Sequence, residues 1–263
     1  MNVSDLLPLA IDIAREAGAL AARRRSEGVA IAATKSAIAD IVTEADREVE
    51  SFIRARLQAE RPDDGFLGEE SGAGADTTGI TWVVDPIDGT VNYAYGIPSY
   101  AVSIAAVSAS ADPETWVNEI GVVFNPMSGE LFHATRGGGA WLGGTRLQMN
   151  SEPGGAGALL ATGFGYDPTT HAAALERLAR VMPLARDIRR IGAASLDLAF
   201  VAAGRLDAYY ERGLHPWDHA AGALLVSEAG GRVGGSPGGR PGRDMTIAAG
   251  SGFFDRLAAA IMS

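Results

Sequence analysis

The sequence predicts a mixed α/β fold. Apolar residues at helical spacing open the chain, strand-like segments separated by glycine turns fill its middle, and strand-like and helix-like segments alternate from Ala158 onward. That alternation sets helices over a parallel or mixed sheet, while the middle run reads as hairpins. With 263 residues, 47% of them hydrophobic, the chain can build one large domain or two closely packed lobes.

Leu6, Leu9, Ala10, Ile13, Ala17, Leu20 and Ala21 define a helix from near Ser4 to a stop at Gly28, with Pro8 tolerated in the first turn. Val29 to Ala33 alternate as a strand and leave Lys35 on a strand end or loop. Thr43-Glu44-Ala45-Asp46 reads as an N-cap with acids in the first turn of a second helix, carried by Val49, Phe52, Ile53 and Leu57 and ended by Pro62. Capping alone accounts for Asp46 at this level and is the stronger local reading over a catalytic one. Phe66-Leu67-Gly68 is a short strand running into Glu69-Glu70, which must be solvated or held by positive charge. Trp82-Val83-Val84 enters as a buried strand, expected to end on Asp85 because Pro86 has no backbone donor.

Tyr100 to Val107, Trp116 to Phe124 and Glu130 to Thr135 follow as strands, the last two joined by a turn over Asn125 to Gly129. The glycines at 137 to 139 lie between strands with no helix after them, which excludes a dinucleotide-binding loop. Small residues and glycine from Ser151 to Gly157 mark a boundary, giving lobes of 1–150 and 151–263 within a single catalytic domain. Beyond it come strand Ala158 to Ala161, helix Thr170 to Met182, a strand near Asp187 to Ile191, and helix Ala194 to Ala203. Strand Leu206 to Tyr210, helix Asp218 to Ala229 with Asp218 as its N-cap, strand Met245 to Ala249 and helix Phe253 to Ile261 complete the chain.

A net charge of −10 disfavours nucleic acid and anionic membrane as partners. Arg23 to Arg25 and the arginines of 186–190 read as solvated helix ends or interface faces. No apolar run reaches membrane-spanning length and no secretory signal opens the chain, so a cytoplasmic location is expected. The absence of cysteine removes disulfides and thiolate metal sites.

Chemistry concentrates in Asp85-Pro86-Ile87-Asp88-Gly89-Thr90. Two carboxylates three residues apart at the mouth of a buried strand suit a hard cation with oxygen ligands, and bound cations would reconcile an acidic protein with an anionic substrate. Gly89 allows close backbone approach, and Thr90 offers a hydroxyl and a main-chain N–H where a helix could begin. A lone motif of this kind is equally a surface turn. His215 and His219 are spaced for zinc, but Pro216 between them argues against a helix face and no Cys or Glu completes the set. No Ser-His-Asp, Cys-His or G-x-S-x-G arrangement is present.

Taken in order, Asp40-Ile41-Val42-Thr43-Glu44-Ala45-Asp46, Gly68-Glu69-Glu70-Ser71, Asp85 to Thr90, Asp207 to Glu211, Trp217-Asp218 and Ser227 to Gly231 resemble the inositol monophosphatase family of Mg²⁺-dependent, Li⁺-sensitive phosphomonoesterases. The resemblance covers nearly the whole chain. One departure is Val91, where the family often has a second threonine.

The resemblance implies a layered αβαβα sandwich with an antiparallel sheet beside a mixed one, and a homodimer. It implies two to three Mg²⁺ ions: Glu69, Asp85 and the Ile87 carbonyl for the first, Asp85, Asp88 and Asp218 for the second, Glu69 for a weaker third. Gly89 and Thr90 would give N–H groups to phosphate, and Thr90 with Asp46 would orient and deprotonate a metal-bound water, with Glu69 sharing in catalysis. Gly192, Ala193, Ala194 and Glu211 would line the alcohol pocket, bounded by Asp88 and Asp218. Inositol 1-phosphate is the expected substrate, with histidinol phosphate or sugar phosphates as alternatives within the family and a catalytically silent binding homologue as an alternative outside it.

Overall fold

Helix α1 (Leu6–Glu27) buries Leu6, Ala10, Ile13, Ala14, Ala17 and Ala21 along one stripe, and Gly28 ends it at φ 107°. The computed structural model describes residues 5–28, 31–34, 41–73, 77–236 and 238–263. Ser4, Val29, Ala30, Lys35 and Asp40 lie outside those residues. Strands β1 (Ile31–Thr34) and β2 (Ile41–Thr43) form a small antiparallel pair that feeds α2 (Glu44–Glu60). Thr43 caps α2 and closes a capping box with Asp46.

Strands β3 (Gly65–Gly68), β4 (Gly72–Ala73), β5 (Ile80–Asp88), β6 (Ala101–Ser108), β7 (Val117–Asn125), β8 (Glu130–Thr135), β9 (Gly139–Leu142) and β10 (Thr145–Arg146) build one sheet in the order β10-β9-β8-β7-β6-β5-β3-β4. The expected antiparallel sheet is in fact mixed. β3 and β5 run parallel because the chain turns back through β4 before entering β5, and the remaining pairs are antiparallel. A second difference concerns β5 itself. It does not stop at Asp85 but continues to Asp88 across a register shift against β6, so Pro86 occupies an irregularity where no ladder donor is required. Gly89 at φ 93° then opens the short helix α3 (Thr90–Tyr95).

Past residue 157 come β11 (Ala158–Thr162), α4 (His171–Val181), β12 (Ala185–Arg189), α5 (Ala194–Ala202), β13 (Ala208–Glu211), α6 (Pro216–Glu228), β14 (Gly231–Gly234), β15 (Thr246–Gly250) and α7 (Phe254–Met262). Their sheet has the order β12-β11-β13-β15-β14, parallel on the β12 side and antiparallel on the β14 side. α1 and α2 cover the outer face of the large sheet, α5 and α6 fill the space between the two sheets, and α4 and α7 lie outside the small one. The result is the five-layer αβαβα arrangement.

The middle layer fits because small residues let it approach both neighbours. A Cβ on Gly121 of β7 would stand 2.8 Å from the Ala221 carbonyl oxygen of α6, and one on Gly222 would stand 2.5 Å from Leu198 Cβ of α5. α6 also begins earlier than expected. His215 is its N-cap, Pro216 occupies the first position where a missing N–H costs nothing, and Asp218 is the third residue, accepting from the His215 N–H at 2.7 Å.

Candidate active site

One cavity of about 650 Å³ opens where the bulged end of β5, the Glu69 turn, the start of α5, the end of β13 and the start of α6 meet. Glu69, Asp85, Ile87, Asp88, Gly89, Thr90, Gly192, Ala194, Glu211 and Asp218 all line it. These residues are scattered over 150 positions of sequence, and the two sheets with the helix layer between them bring them together. Ala193 is the exception among the expected pocket residues. It is buried beneath the wall as the N-cap residue of α5, while its neighbours Gly192, at φ 89°, and Ala194 present the surface.

The threonine is tied to the buried acid that the local reading assigned to capping. Thr90 Oγ1 lies 3.2 Å from Asp46 Oδ1 and 3.1 Å from the Ile87 carbonyl oxygen, so its single proton can reach either. Asp46 Oδ2 meanwhile accepts from the Thr43 N–H at 2.7 Å and the Thr43 hydroxyl at 2.5 Å. Capping and the site are therefore duties of two different oxygens on one carboxyl. Asp46 does not line the cavity; it stands behind Thr90. Burial pushes its pKa up to about 6, against the downward pull of the Thr43 hydrogen bonds.

The acids on the cavity wall disfavour one another's charge. Burial raises Asp85 well above the ordinary carboxylate range, and Glu69, Asp88, Asp218 and Asp46 add to it. Asp218 is raised by burial, then by Asp88 and Glu69. Asp88 is raised by burial and restrained by hydrogen bonds from the start of α5. Its Oδ2 accepts from the Ser195 N–H at 2.7 Å and hydroxyl at 2.5 Å, and its Oδ1 from the Ala194 N–H at 3.2 Å. Asp88 thus caps a helix whose own N-cap residue, an alanine, cannot.

Among the described residues no three His, Cys, Asp or Glu side chains are gathered closely enough to form a metal sphere as they stand. The donor set nevertheless fits a hard divalent cation. It is all oxygen, several buried carboxyls repel at one wall, and Asp85 and Asp218 are each anchored through one oxygen, to the Ile87 and His215 N–H groups, which keeps the other for a ligand. The zinc alternative finds no such support: His219 is buried beside Trp116, and His215 stacks on Trp217 at 4.8 Å.

Sequence reasoning missed several residues that hold the site. Glu50, buried on α2, accepts from the Glu70 N–H at 2.7 Å and fixes the turn bearing Glu69, and Gly68 leaves room for its carboxylate. Arg47 stands 3.8 Å from Glu70 and supplies the positive neighbour expected for the glutamate pair. Asn92 donates to the Ser99 and Ile191 carbonyls at 2.7 and 2.8 Å and so joins α3 to the segment before α5. Arg190, from the cluster read as a solvated face, lines the cavity instead. Glu50 at one helical turn from Asp46 was the one detectable signal.

The mutual repulsion has a measurable consequence. For Asp46, Asp85, Asp88 and Asp218 the folded pKa exceeds the unfolded value of about 4, so the native state binds more protons. Their contribution to stability is full below the unfolded pKa and lost as pH rises through the folded one. In EDTA the melting temperature should therefore be higher at about pH 5.5 than at about pH 7.5. Saturating Mg²⁺ should reverse that order, adding ~2–4 kcal/mol at the higher pH, a rise of several degrees. A melting temperature indifferent to Mg²⁺ would count against a cation site here.

Known proteins agree with this fold. The chain is 43% identical to inositol-1-monophosphatase SuhB of Mycobacterium tuberculosis, over 97% of its own length and 93% of that protein's. It is 41% identical to a protein of Escherichia coli named Nus factor SuhB, over 87% and 84% of the two chains. The crystal structure of extragenic suppressor protein suhB from Bartonella henselae superposes with a TM-score of 0.90 at 36% identity, covering 98% of each chain. A chain with these relatives and this five-layer fold is a phosphoric monoester hydrolase of a metal-dependent kind. The model for the inositol monophosphatase family matches residues 2–261, and the chain belongs to that family.

Proposed function

We propose that the protein is a Mg²⁺-dependent, Li⁺-sensitive phosphomonoesterase that hydrolyses inositol 1-phosphate by direct attack of water, without a covalent intermediate. The observation that carries this reading is the Thr90–Asp46 hydrogen bond at the edge of a cavity walled by Glu69, Asp85, Asp88 and Asp218. Glu69, Asp85 and the Ile87 carbonyl would hold one ion, Asp85, Asp88 and Asp218 a second, with Glu69 serving a weaker third. Bound there, Mg²⁺ supplies charge neutralisation at phosphate oxygens and lowers the pKa of water. Asp46, poised near neutrality, takes a proton relayed through the Thr90 hydroxyl. Gly89 and Thr90, at the start of α3, turn backbone N–H groups free of helical partners toward phosphate. Ser195 and the first N–H groups of α5 hold Asp88 mainly through Oδ2, and Oδ1, with one long hydrogen bond, keeps a lone pair that would serve a cation.

In this reading residues 1–263 act as one catalytic domain, with 1–150 bringing the Asp46, Glu69 and Asp85 motifs and 151–263 the alcohol pocket and Asp218. We place it in the cytoplasm as a homodimer; among the described residues no helix is long and apolar enough to cross a membrane. Phosphate release from a panel of phosphomonoesters, with Mg²⁺ and with EDTA, tests the reading. Turnover of none of them would leave the silent binding homologue.

Glu211 discriminates among alcohols. Arg190 is close enough to act on it, and Arg212 lines the same cavity. Tyr209 donates to Oε2 at 2.6 Å, Gly163 leaves space for the carboxyl, and burial pushes its pKa up to about 7. A carboxyl that is neutral about half the time suits hydroxyls, to which it can donate or accept, better than the ammonium of histidinol phosphate. Glu211→Gln should raise KM for inositol 1-phosphate only ~2–5-fold and weaken histidinol phosphate more. In the parent, kcat/KM for histidinol phosphate should climb as pH rises through about 7 and Glu211 ionises. Identical kinetics for both proteins on both substrates would remove Glu211 from the pocket.

A further inference from the structure

The same cavity carries a group of opposite charge. Arg177 of α4, Arg212 just after β13 and Arg243 in the loop before β15 line it from three separate elements. Among the described residues no hydrogen bond or ion pair joins any of them to Asp85, Asp88 or Asp218, so their charge is not spent on the acidic wall. α4 aims Arg177 inward by its periodicity, since Thr170, Ala174 and Leu178 line the cavity with it.

Two of the three are already held. Arg212 Nε donates to the Asp244 carbonyl at 2.8 Å, and Arg243 Nη1 contacts the His215 ring at 2.7 Å. Arg177 is different. Its Nε is buried and has no hydrogen-bond partner, and no ion pair engages it among the described residues. Burial, then Arg212 and Arg180, pull its guanidinium below the usual arginine range. A buried donor left unpaired is destabilising, and repulsion adds to that. The rim acids do not relieve it: Asp167 Oδ1 is taken by the N–H and hydroxyl of Thr169 in its own turn, and Asp244 is exposed. Arg177 thus brings to the cavity a guanidinium with like charges around it and no anionic partner among the described residues, a charge that a bound anion would balance.

We propose that this basic end is a second phosphate subsite, so that the enzyme prefers phosphomonoesters of a sugar or polyol that carries another phosphate away from the scissile one. The proposal rests on the phosphatase reading of the acidic end. A phosphate presents three strong acceptor oxygens to guanidiniums carried on three separate elements, whereas a carboxylate is satisfied by one bidentate arginine. Glu211, on the same cavity, would when ionised repel a second phosphate. That objection weakens with Arg190 beside Glu211 and three more arginines around the cavity.

Kinetics on glucose 1-phosphate and glucose 1,6-bisphosphate, for the parent and for Arg177→Gln, test the proposal. The ratio of kcat/KM for the bisphosphate over the monophosphate should exceed ~10 in the parent and fall about tenfold in the variant, through KM. The variant should melt at the parent's temperature or above it, because no partner is lost and a repulsion is relieved. An equal effect on both substrates, or no preference in the parent, overturns the subsite. Calorimetric binding of glucose 1,6-bisphosphate separates the two readings. A Kd unchanged by Arg177→Gln sinks the subsite whatever the turnover, whereas Arg177-dependent binding without hydrolysis of any substrate sinks the phosphatase reading and leaves the subsite standing.

Discussion

Asp85→Asn is expected to reduce phosphate release about 10²–10³-fold at saturating Mg²⁺ while leaving the fold intact. Asp85 is the side chain assigned to both strong cation sites, and it is the acid on which Glu69, Asp88, Asp218 and Asp46 all press. Losing its charge removes one partner from each ion in a desolvated setting, where such a loss costs ~3–5 kcal/mol. The same substitution relieves repulsion when no cation is present. The variant should consequently melt higher than the parent in EDTA and respond less to Mg²⁺. Phosphate release, with melting followed by circular dichroism, checks both halves. Turnover within a few-fold of the parent would remove Asp85 from the centre of the site.

Asp46→Asn should be nearly as costly, lowering kcat by ~10²–10⁴-fold, the usual contribution of a positioned base. The amide oxygen can still accept from the Thr43 N–H, so the start of α2 should lose no more than ~1 kcal/mol. With its pKa at about 6, Asp46 is mostly ionised at pH 7 and mostly protonated at pH 5, and the parent should lose activity on the acid side through that value. Any residual rate in the variant should lack that limb. A variant that keeps the limb at reduced height would assign it to another carboxyl, such as one of the wall acids.

The comparison of sequence and structure turns on range. Local signals were legible: the apolar stripe of α1, the Thr43 cap, the glycine at φ 93° after Asp88, and the alternation beyond residue 157 all act within a few positions. The acidic motifs were legible because charges at the mouth of a buried strand have few structural excuses. Three features were not. The extension of β5 past Pro86 depends on pairing with β6, and a single-strand reading counts the missing donor but not the register shift that makes it harmless. The parallel placement of β3 depends on how the chain crosses over, which no period reveals. The environment of Glu211 was not legible because alternation along one strand says nothing of Arg190, which arrives from beyond a different strand. Likewise, capping and a place beside Thr90 are compatible for Asp46, since a carboxyl has two oxygens and the neighbour of the second lies 44 positions away.

The hydrogen bonds from Ser195 and Ala194 to Asp88 bear on how such a chain can change over generations. A helix that begins after residue 193 has its cap encoded more than a hundred positions upstream, at a residue also assigned to a cation. Substituting Asp88 would therefore be felt as a folding defect and a chemical one together, and Ser195, which touches no substrate in this scheme, is bound to the same fate. Recombination between relatives with a junction between these positions would succeed only where both parents carry the matched pair, so the two parts of the sequence are inherited as one.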